Sequence, residues 1–435
     1  MLNPGTEIEV VGHGWMTVGR CLGEGGQGIV FEAHDRSNQP FALKWYKNPP
    51  PDQEVSLDYL VDRGAPSDRF LWPLGLARCS GVPNFGYLMR LRPSDYLGLP
   101  ALLDGKDEHG RQVDVPFSAT IRMSFQLSRS FLKLHSLGLC YRDINRGNVF
   151  FEPRSGAVLI CDNDNVGIDG SPSWVLGAGW FMAPEVYRFI AAPQDPQSAL
   201  PSARTDRHSL AVTLFMILMI AHPLDGRKTV AGPVDDAWEL EHFGIDPVFI
   251  FDPNDDRNRP PEATPANYWK VYPTFLRALF TRAFTIGLRK PDKRVLENEW
   301  ATAMLRLRDS MITCPTCGGT IFHDWDDPTR PCARCWAALP APLVLQIGRH
   351  RIALRPGSCV WTDHFGGDQD TATPVGELVQ HPQHAEWWGL QNRTNRAWLA
   401  TAPDGTVHEV PPGKRIMALP GTRIRFGDGQ GLLTR

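Results

Sequence analysis

The sequence predicts an α+β protein in four consecutive parts, and four observations support this prediction. Apolar residues alternate over about residues 15–92, which predicts a β-rich segment. From about residue 118 they recur at spacings of three and four, as in SATIRMSFQLSRSFLKLHSLG, which predicts helices. Two CxxC pairs follow in one short segment. Alternation broken by Gly and Pro turns then returns after residue 343 and predicts a β tail.

The length of 435 residues exceeds that of one ordinary core, so several domains are expected. The first is predicted at 1–310 and consists of a β-rich part (about 15–92) and a helical part (about 93–310). A four-Cys module is predicted at 311–340 and a small all-β domain at 341–435.

Charge and composition indicate where the protein works. The formal net charge of −3 gives no overall attraction to nucleic acid or to an anionic membrane, so neither is an expected partner. The longest apolar run, Leu210–Ala221, is too short to span a bilayer and predicts a buried helix. The chain starts without a signal-like segment, and five cysteines are scattered. A reducing cytoplasm is therefore expected.

A glycine-rich stretch between two predicted strands indicates a phosphate-binding loop. GEGGQGIV fits G-x-G-x-x-G-x-V with Gly23, Gly25, Gly28 and Val30. Only glycine lets backbone N–H groups come close to phosphate oxygens, and the strand–strand context disfavours a dinucleotide fold. Alone, the pattern fits an ordinary hairpin turn equally well.

Four downstream residues supply the other groups that phosphoryl transfer needs. Lys44 in FALK lies on a predicted strand and can reach nucleotide phosphates. Asp143 and Asn148 in YRDINRGN precede Asp162 in VLICDNDN. One carboxylate orients the substrate hydroxyl and accepts its proton, while an Asn and an Asp hold Mg²⁺. The order predicts ATP and Mg²⁺ as cofactors.

Together with MAPE at 182–185, these motifs resemble the eukaryotic-type protein kinase family over about 15–308. The resemblance implies a bilobal kinase fold, with Met89 as the gatekeeper. It implies that the backbone from Arg90 to Arg92 binds adenine and that Val30 and Ala42 enclose the base.

The resemblance also implies two structural contacts. Glu185 of MAPE would pair with Arg294, and Asp206 would hold the backbone of the catalytic loop from a buried helix. These features favour a protein kinase over a small-molecule phosphotransferase, whose relatives commonly lack the APE segment.

The activation segment offers a regulatory site. Arg142, next to the predicted base, could pair with a phosphate on this segment. Ser171 and Ser173 are the candidate acceptors, although serines in such loops are often only turn formers.

Two departures from the kinase pattern concern the catalytic residues themselves. Asn145 stands where the family has a lysine, and the side chain of the neighbouring Arg146 is expected to point elsewhere. Asp162-Asn163-Asp164 replaces DFG. Asp164 is either a second metal ligand or a solvated turn residue, and the turn is the favoured interpretation.

A third departure concerns the helix carboxylate that pairs with the strand lysine in the family. Glu54, Asp58 and Asp62 compete for this role in the helix after NPPPDQ, and none has clearly the right spacing. Glu54 is the favoured partner of Lys44.

The two CxxC pairs predict a structural zinc ribbon. Cys314, Cys317, Cys332 and Cys335 can close one tetrahedral thiolate site, and zinc binding would then supply the folding energy of a segment too short for its own core. A redox role for either pair is the alternative. His323 is expected to be a loop residue because four sulfurs fill the site.

The tail from about 343 to 435 resembles the later strands of a forkhead-associated β-sandwich. A clear S-x-x-H phosphothreonine signature is missing, and IGRH at 347–350 is only suggestive. A docking or autoregulatory domain is favoured over phosphopeptide capture.

The order kinase, ribbon and tail resembles bacterial Ser/Thr kinases encoded with a PP2C-type phosphatase and a von Willebrand A protein in tellurite-resistance and stress systems. RFLWPLGLA and HPLDG support this resemblance. It implies an autophosphorylating protein Ser/Thr kinase with protein substrates and those two proteins as partners. The alternative is a pseudokinase scaffold that binds nucleotide and recruits partners through its ribbon and tail.

Overall fold

The computed structural model describes residues 2–192, 200–230, 234–370, 372–381, 383–384, 387–427 and 429–435. The chain forms two compact units. The first consists of Met1–Pro261 and Phe280–Ala301, and the second of Glu262–Leu279 and Thr302–Arg435.

The first unit begins with six antiparallel strands that close into a barrel, because the first strand pairs with both the second and the fifth. In the order of the barrel, the strands are β1 (Glu7–Val10), β2 (Gly14–Glu24), β3 (Gly28–His34), β4 (Pro40–Tyr46), β6 (Gly86–Arg90) and β5 (Gly75–Arg78). Alternation of apolar residues along these strands fills the barrel, as in β3, where Ile29, Phe31 and Ala33 join the core.

The register of the central strands brings polar groups together. Lys44 on β4 lies opposite Val30 on β3 and opposite Tyr87 on β6. Tyr46 is two residues beyond Lys44 and therefore points to the same face of β4. Helix α1 (Gln53–Arg63) follows β4 and buries Leu57 and Leu60.

The rest of the first unit is mainly helical, which confirms the predicted change from strands to helices. Its helices are α2 (Leu99–Asp104), α3 (Phe117–Ser136), α4 (Pro184–Ala191), α5 (Ala203–Met219), α6 (Asp236–Glu239) and α9 (Ile286–Arg289). Short strands between them are β7 (Leu97–Gly98), β8 (Leu139–Cys140), β9 (Val149–Phe151), β10 (Val158–Ile160) and β11 (Gly167–Ile168). Helix α5 contains most of the longest apolar run, up to Met219, and is buried along almost its whole length. Among the described residues, no helix is long and apolar enough to cross a membrane.

The second unit contains helix α7 (Ala263–Val271), a small hairpin and a β domain. Helices α8 (Thr274–Phe284) and α10 (Glu297–Asp309) have residues in both units. The hairpin is formed by β12 (Met311–Thr313) and β13 (Thr320–Phe322).

The β domain has one sheet of six strands and one of four. The six-stranded sheet has the order β15 (His350–Leu354), β14 (Leu343–Ile347), β23 (Gln430–Thr434), β22 (Arg423–Arg425), β19 (Trp398–Thr401) and β20 (Val407–Val410). The other has the order β16 (Cys359–Trp361), β17 (Pro374–Gln380), β18 (Trp388–Asn392) and β21 (Arg415–Met417). One apolar cluster joins both sheets through Leu345, Leu390 and Trp398. The predicted all-β tail is therefore present as two sheets that share a core.

Candidate active site

Lys44 lies at the centre of a buried polar cluster in the first unit. Its ammonium donates to Asp162 Oδ1 at 2.5 Å, to Asp164 Oδ2 at 2.9 Å and to Gln27 Oε1 at 3.1 Å. Burial alone would lower the pKa of Lys44, but the two aspartates outweigh it and raise the pKa above its ordinary value. The lysine is therefore a fixed cation, held by one residue of the glycine loop and two of the DND turn.

Asp164 is a buried partner of Lys44, and the favoured prediction of a solvated turn residue is wrong. Its side chain is fully buried and accepts hydrogen bonds from the hydroxyls of Tyr46 and Tyr87, the latter at 3.3 Å. Burial would raise the pKa of Asp164, but Lys44 and Tyr46 hold it below its ordinary value. The 3₁₀ turn Asn163–Asn165 directs this carboxylate into the core.

Glu54 does not pair with Lys44, so the predicted helix partner is also wrong. Glu54 forms an ion pair with Arg78, and Asp58 and Asp62 are exposed. The reason is helical phase, because residues 53, 57 and 60 share the face turned to the core, and residues 54, 58 and 62 lie outside that face. The residue of α1 that reaches the cluster is Gln53, whose amide donates to the backbone oxygen of Asp164 at 3.0 Å.

Asp143 is held by two asparagines of its own loop. Asn145 Nδ2 donates to Asp143 Oδ1 at 3.0 Å, and Asn148 Nδ2 donates to Oδ2 at 3.2 Å. Burial raises the pKa of Asp143 above its ordinary value. The hydrogen bonds from the two amides lower this pKa, whereas the charge of Asp164 raises it further. Asn145, which replaces the expected lysine, is thus a direct partner of the predicted base, while Arg146 is exposed as expected.

Asp162 lies next to this loop and remains partly accessible. The backbone N–H of Cys161 donates to the carbonyl of Asn148 at 2.9 Å, which joins the DND turn to the catalytic loop. Asp162 has φ +55°, and its side chain is 32% exposed. Burial and then the charge of Asp164 raise its pKa to about 6, against the opposing effect of Lys44.

The residues predicted to enclose a nucleotide base lie on three neighbouring strands. Ala42 lies opposite Met89, both are buried, and Val30 packs against the same apolar cluster. The side chain of Arg90 donates to the carbonyl of Phe70 at 3.3 Å, and other contacts hold Arg92.

The glycine loop connects β2 and β3 above Lys44. Gly23 lies opposite Val30, and the N–H of Gly25 donates to the carbonyl of Gly28 at 2.9 Å. A Cβ on Gly28 would stand 2.4 Å from the carbonyl oxygen of Trp45, so this position admits only glycine. Lys47 also holds the loop, because its ammonium donates to the carbonyl of Gly25 at 3.1 Å.

The contacts that the kinase resemblance implies behind the catalytic loop are present. Asp206 on α5 accepts hydrogen bonds from the backbone N–H groups of Tyr141 at 2.5 Å and Arg142 at 3.0 Å. Arg294 forms a two-pronged ion pair with Glu185, with both N–O distances at 2.7 Å.

The contacts of Asp206 and the Glu185–Arg294 pair form a framework behind the loop that carries Asp143. Sequence reasoning missed His135, which contacts Asp206 in this framework. Its ring contacts Asp206 Oδ2 at 3.0 Å and Glu297 Oε1 at 2.5 Å. Burial would lower the pKa of His135, but the hydrogen bonds to the two carboxylates raise it to about 9. The available signal was a histidine on the apolar face of α3, which usually indicates a core residue with polar partners.

The predicted regulatory residues are in contact. The guanidinium of Arg142 donates to Ser171 Oγ at 2.7 Å, and this hydroxyl donates to the carbonyl of Ile168 at 2.9 Å. Ser173 Oγ accepts from the N–H of Val175 at 3.0 Å and is a turn former.

The four predicted zinc ligands converge in the second unit. The sulfurs of Cys314, Cys317, Cys332 and Cys335 lie within 4.8 Å of one another, with Cys314–Cys335 at 3.7 Å and Cys317–Cys332 at 3.9 Å. A tetrahedron with Zn–S bonds of about 2.3 Å requires sulfurs about 3.8 Å apart. The cluster therefore fits a zinc ion.

A second group, Asp309, His350 and His364, has potential ligand atoms equally close together. Nδ1 of His364 accepts a hydrogen bond from the N–H of Trp361 at 3.0 Å and so has no proton to donate, and Nε2 faces Asp309 at 3.0 Å. A ligating histidine needs the opposite arrangement. Arg308 adds a positive charge 2.8 Å from the same nitrogen, and the group is a structural ion-pair cluster.

Comparisons with known proteins point to kinases. No protein-family model matches the chain. It is 26% identical over 321 residues to Protein kinase YegI of Escherichia coli strain K12, covering 68% of this chain and 45% of that protein. The protein of the same name from Escherichia coli O157:H7 is 26% identical over 322 residues, covering 69% of this chain and 46% of that protein. Protein kinase MCK1 of Saccharomyces cerevisiae is 37% identical over 51 residues, 12% of this chain and 14% of that protein.

The chain spans about half the length of the two bacterial relatives. Both of these relatives are named as protein kinases.

Proposed function

We propose that this chain is an ATP- and Mg²⁺-dependent protein serine/threonine kinase with a bilobal kinase fold. The observation that carries the proposal is the shared site of a fixed lysine cation, a base held by two amides and an accessible second aspartate. Lys44, Asp143 and Asp162 fill these roles. This combination suits phosphoryl transfer, where catalysis is mainly positioning and charge stabilisation.

Asp143 would orient the substrate hydroxyl and accept its proton. Each of its oxygens already accepts one amide hydrogen, from Asn145 and Asn148, and keeps further lone pairs for a hydroxyl. Its raised pKa brings it closer to neutral pH, which favours general-base catalysis. Asn145 lacks the positive charge of the lysine that the family has at this position, but it holds the predicted base in place. Phosphate transfer is therefore expected to be slower but not abolished.

Lys44 would bind the phosphates, and Asn148 and Asp162 would hold the cation. Asn148 donates its amide nitrogen to Asp143, so its side-chain oxygen would be the atom that ligates the cation. When bound, Mg²⁺ would neutralise charge on the transferring phosphoryl group. Met89, Ala42 and Val30, with the backbone of 90–92, would form the adenine pocket.

The wider setting is proposed from sequence resemblance. A cytoplasmic signalling role with protein substrates, a PP2C-type phosphatase and a von Willebrand A protein fits the order of kinase, ribbon and tail. A forkhead-associated-like tail would serve docking. Neither nucleic acid nor membrane is a proposed partner.

Autophosphorylation provides one test of the proposal. After incubation with ATP and Mg²⁺, mass spectrometry is expected to find phosphate on Ser171, where Arg142 can pair with it. An Asp143→Asn protein is the matched control and is expected to stay unmodified. Phosphate confined to residues outside the activation segment would exclude this mode of control.

A nucleotide-binding scaffold is the second candidate, and one observation favours it. The ammonium of Lys44 makes its hydrogen bonds to Gln27, Asp162 and Asp164, so the protein itself occupies the place of the phosphates. A scaffold would bind ATP equally with and without Mg²⁺. A kinase is expected to bind ATP more tightly with Mg²⁺, and Asp162→Asn is expected to abolish this difference.

We propose that the four-Cys cluster holds one structural zinc ion. Metal analysis of the purified protein is expected to find zinc in equimolar amount, and Cys314→Ser is expected to lose it and unfold the hairpin β12–β13. Cys359→Ser, outside the cluster, is the control and is expected to retain the metal. Full metal content in Cys314→Ser would contradict the assignment.

A further inference from the structure

The two aspartates that contact Lys44 belong to one turn but differ in surroundings. The side chain of Asp162 is 32% exposed, whereas that of Asp164 is fully buried. A partly exposed carboxylate can exchange its partner when a cation and phosphates enter, while a buried one without its cation would be strongly destabilised. The difference in burial therefore assigns different roles to the two residues.

Asp164 is saturated with donors. Its Oδ2 accepts from Lys44 at 2.9 Å and from the hydroxyl of Tyr46, and its Oδ1 accepts from Lys44 at 3.1 Å and from Tyr87 at 3.3 Å. All three partners are fixed by β-sheet register, because Lys44 and Tyr87 face each other across β4 and β6. A carboxylate with four such contacts is a poor ligand for an incoming metal ion and a strong anchor for the lysine.

We infer that Asp164 is the residue that positions Lys44 for the nucleotide phosphates, in place of a carboxylate from helix α1, and that Asp162 is the exchangeable partner. The inference rests on the proposed kinase function. Helix α1 contributes only the neutral amide of Gln53, which contacts Tyr46 at 3.2 Å and the backbone of Asp164. Movement of α1 therefore does not break the ion pair of the lysine, and the lysine anchor is part of the DND turn.

A double-mutant cycle on stability tests the pairing without any need for activity. Unfolding midpoints are compared for Lys44→Met, Asp164→Asn and the double variant, and for the same set with Glu54→Gln in place of Asp164→Asn. Lys44 and Asp164 are expected to be coupled, so that the double variant recovers part of the loss. Glu54 is expected to be uncoupled. If Asp164→Asn alone fails to fold, recovery in the double variant supports the pairing equally well.

Kinetics test the positioning role. Asp164→Asn is expected to lower kcat/KM for ATP about a hundredfold, the size of loss that follows a displacement of about 1 Å in a catalytic group. In a Lys44→Met background it is expected to add no further loss, whereas a general structural role would add one. Glu54→Gln is expected to keep the wild-type KM and kcat.

The outcomes test the role of Asp164 separately from the proposed kinase function. Coupling of Lys44 to Glu54, or loss of ATP use in Glu54→Gln with Asp164→Asn unaffected, would overturn the inference. A wild-type protein that shows the Lys44–Asp164 coupling but transfers no phosphate would refute the proposed function and leave the pairing intact.

Discussion

The two sides of the candidate active site hold their charged groups in different ways. On the side of the loop that carries Asp143, Asp206 accepts hydrogen bonds from backbone N–H groups and Arg294 pairs with Glu185, as the kinase resemblance implies. On the lysine side, the expected helix carboxylate faces Arg78 and the partner of Lys44 comes from the DND turn. The framework behind the loop therefore consists of the contacts that the kinase resemblance implies, whereas Lys44 pairs with a different carboxylate from the one expected.

Breaking the framework is expected to have the largest effect on stability. Arg294→Ala leaves Glu185 without its cation in a largely buried site and is expected to lower the free energy of unfolding by about 3–5 kcal/mol. Arg282→Ala is the matched control, because its pair with Glu299 is more than a third exposed and is expected to contribute less than about 1 kcal/mol. Denaturant unfolding followed by tryptophan fluorescence measures both. Equal losses would show that Arg294 has no special structural role.

The histidine under the framework predicts a pH dependence. The pKa of His135 is raised to about 9, from about 6.5 in an unfolded chain. Because the folded-state pKa is the higher one, the stabilisation is fully present below about pH 6.5 and is lost as the pH rises through about 9. The loss is on the order of 3 kcal/mol.

Comparison with His135→Gln isolates this contribution. Unfolding free energies of both proteins between about pH 6 and pH 9.5 are expected to converge as the pH rises, because only the wild type carries the titrating imidazole. Parallel curves would mean that the charge of His135 does not stabilise the framework.

The smallest expected effect concerns the glycine loop on the lysine side. Gln27→Ala removes one hydrogen bond to Lys44 that incoming phosphates must replace. ATP is therefore expected to bind a few times more tightly, in line with about 0.5–1.5 kcal/mol for one hydrogen bond. Glu24→Gln, on the same loop but paired with Lys47, is the control and is expected to leave ATP affinity unchanged. Weaker binding by Gln27→Ala would assign this amide to the nucleotide site itself.

The kinase resemblance implied the framework because its residues stand in motifs with defined positions. Alternation along β3 and β4, the apolar run of α5 and the paired CxxC units likewise depend only on local spacing. The anchor of Lys44 depends instead on which face of α1 turns inward and on the β4–β6 register that places Tyr87 beside Lys44. Neither follows from spacing, and a DND turn alone does not reveal that its last carboxylate is buried.

Phosphate transfer itself tests the central claim most directly. The measurement is the transfer of labelled γ-phosphate from ATP with Mg²⁺ to the protein and to a generic protein substrate, for the wild type beside Asp143→Asn. We expect label with the wild type and none with the variant, which would make Asn145 a tolerated replacement. Equal labelling of both, or no label with either, would contradict it.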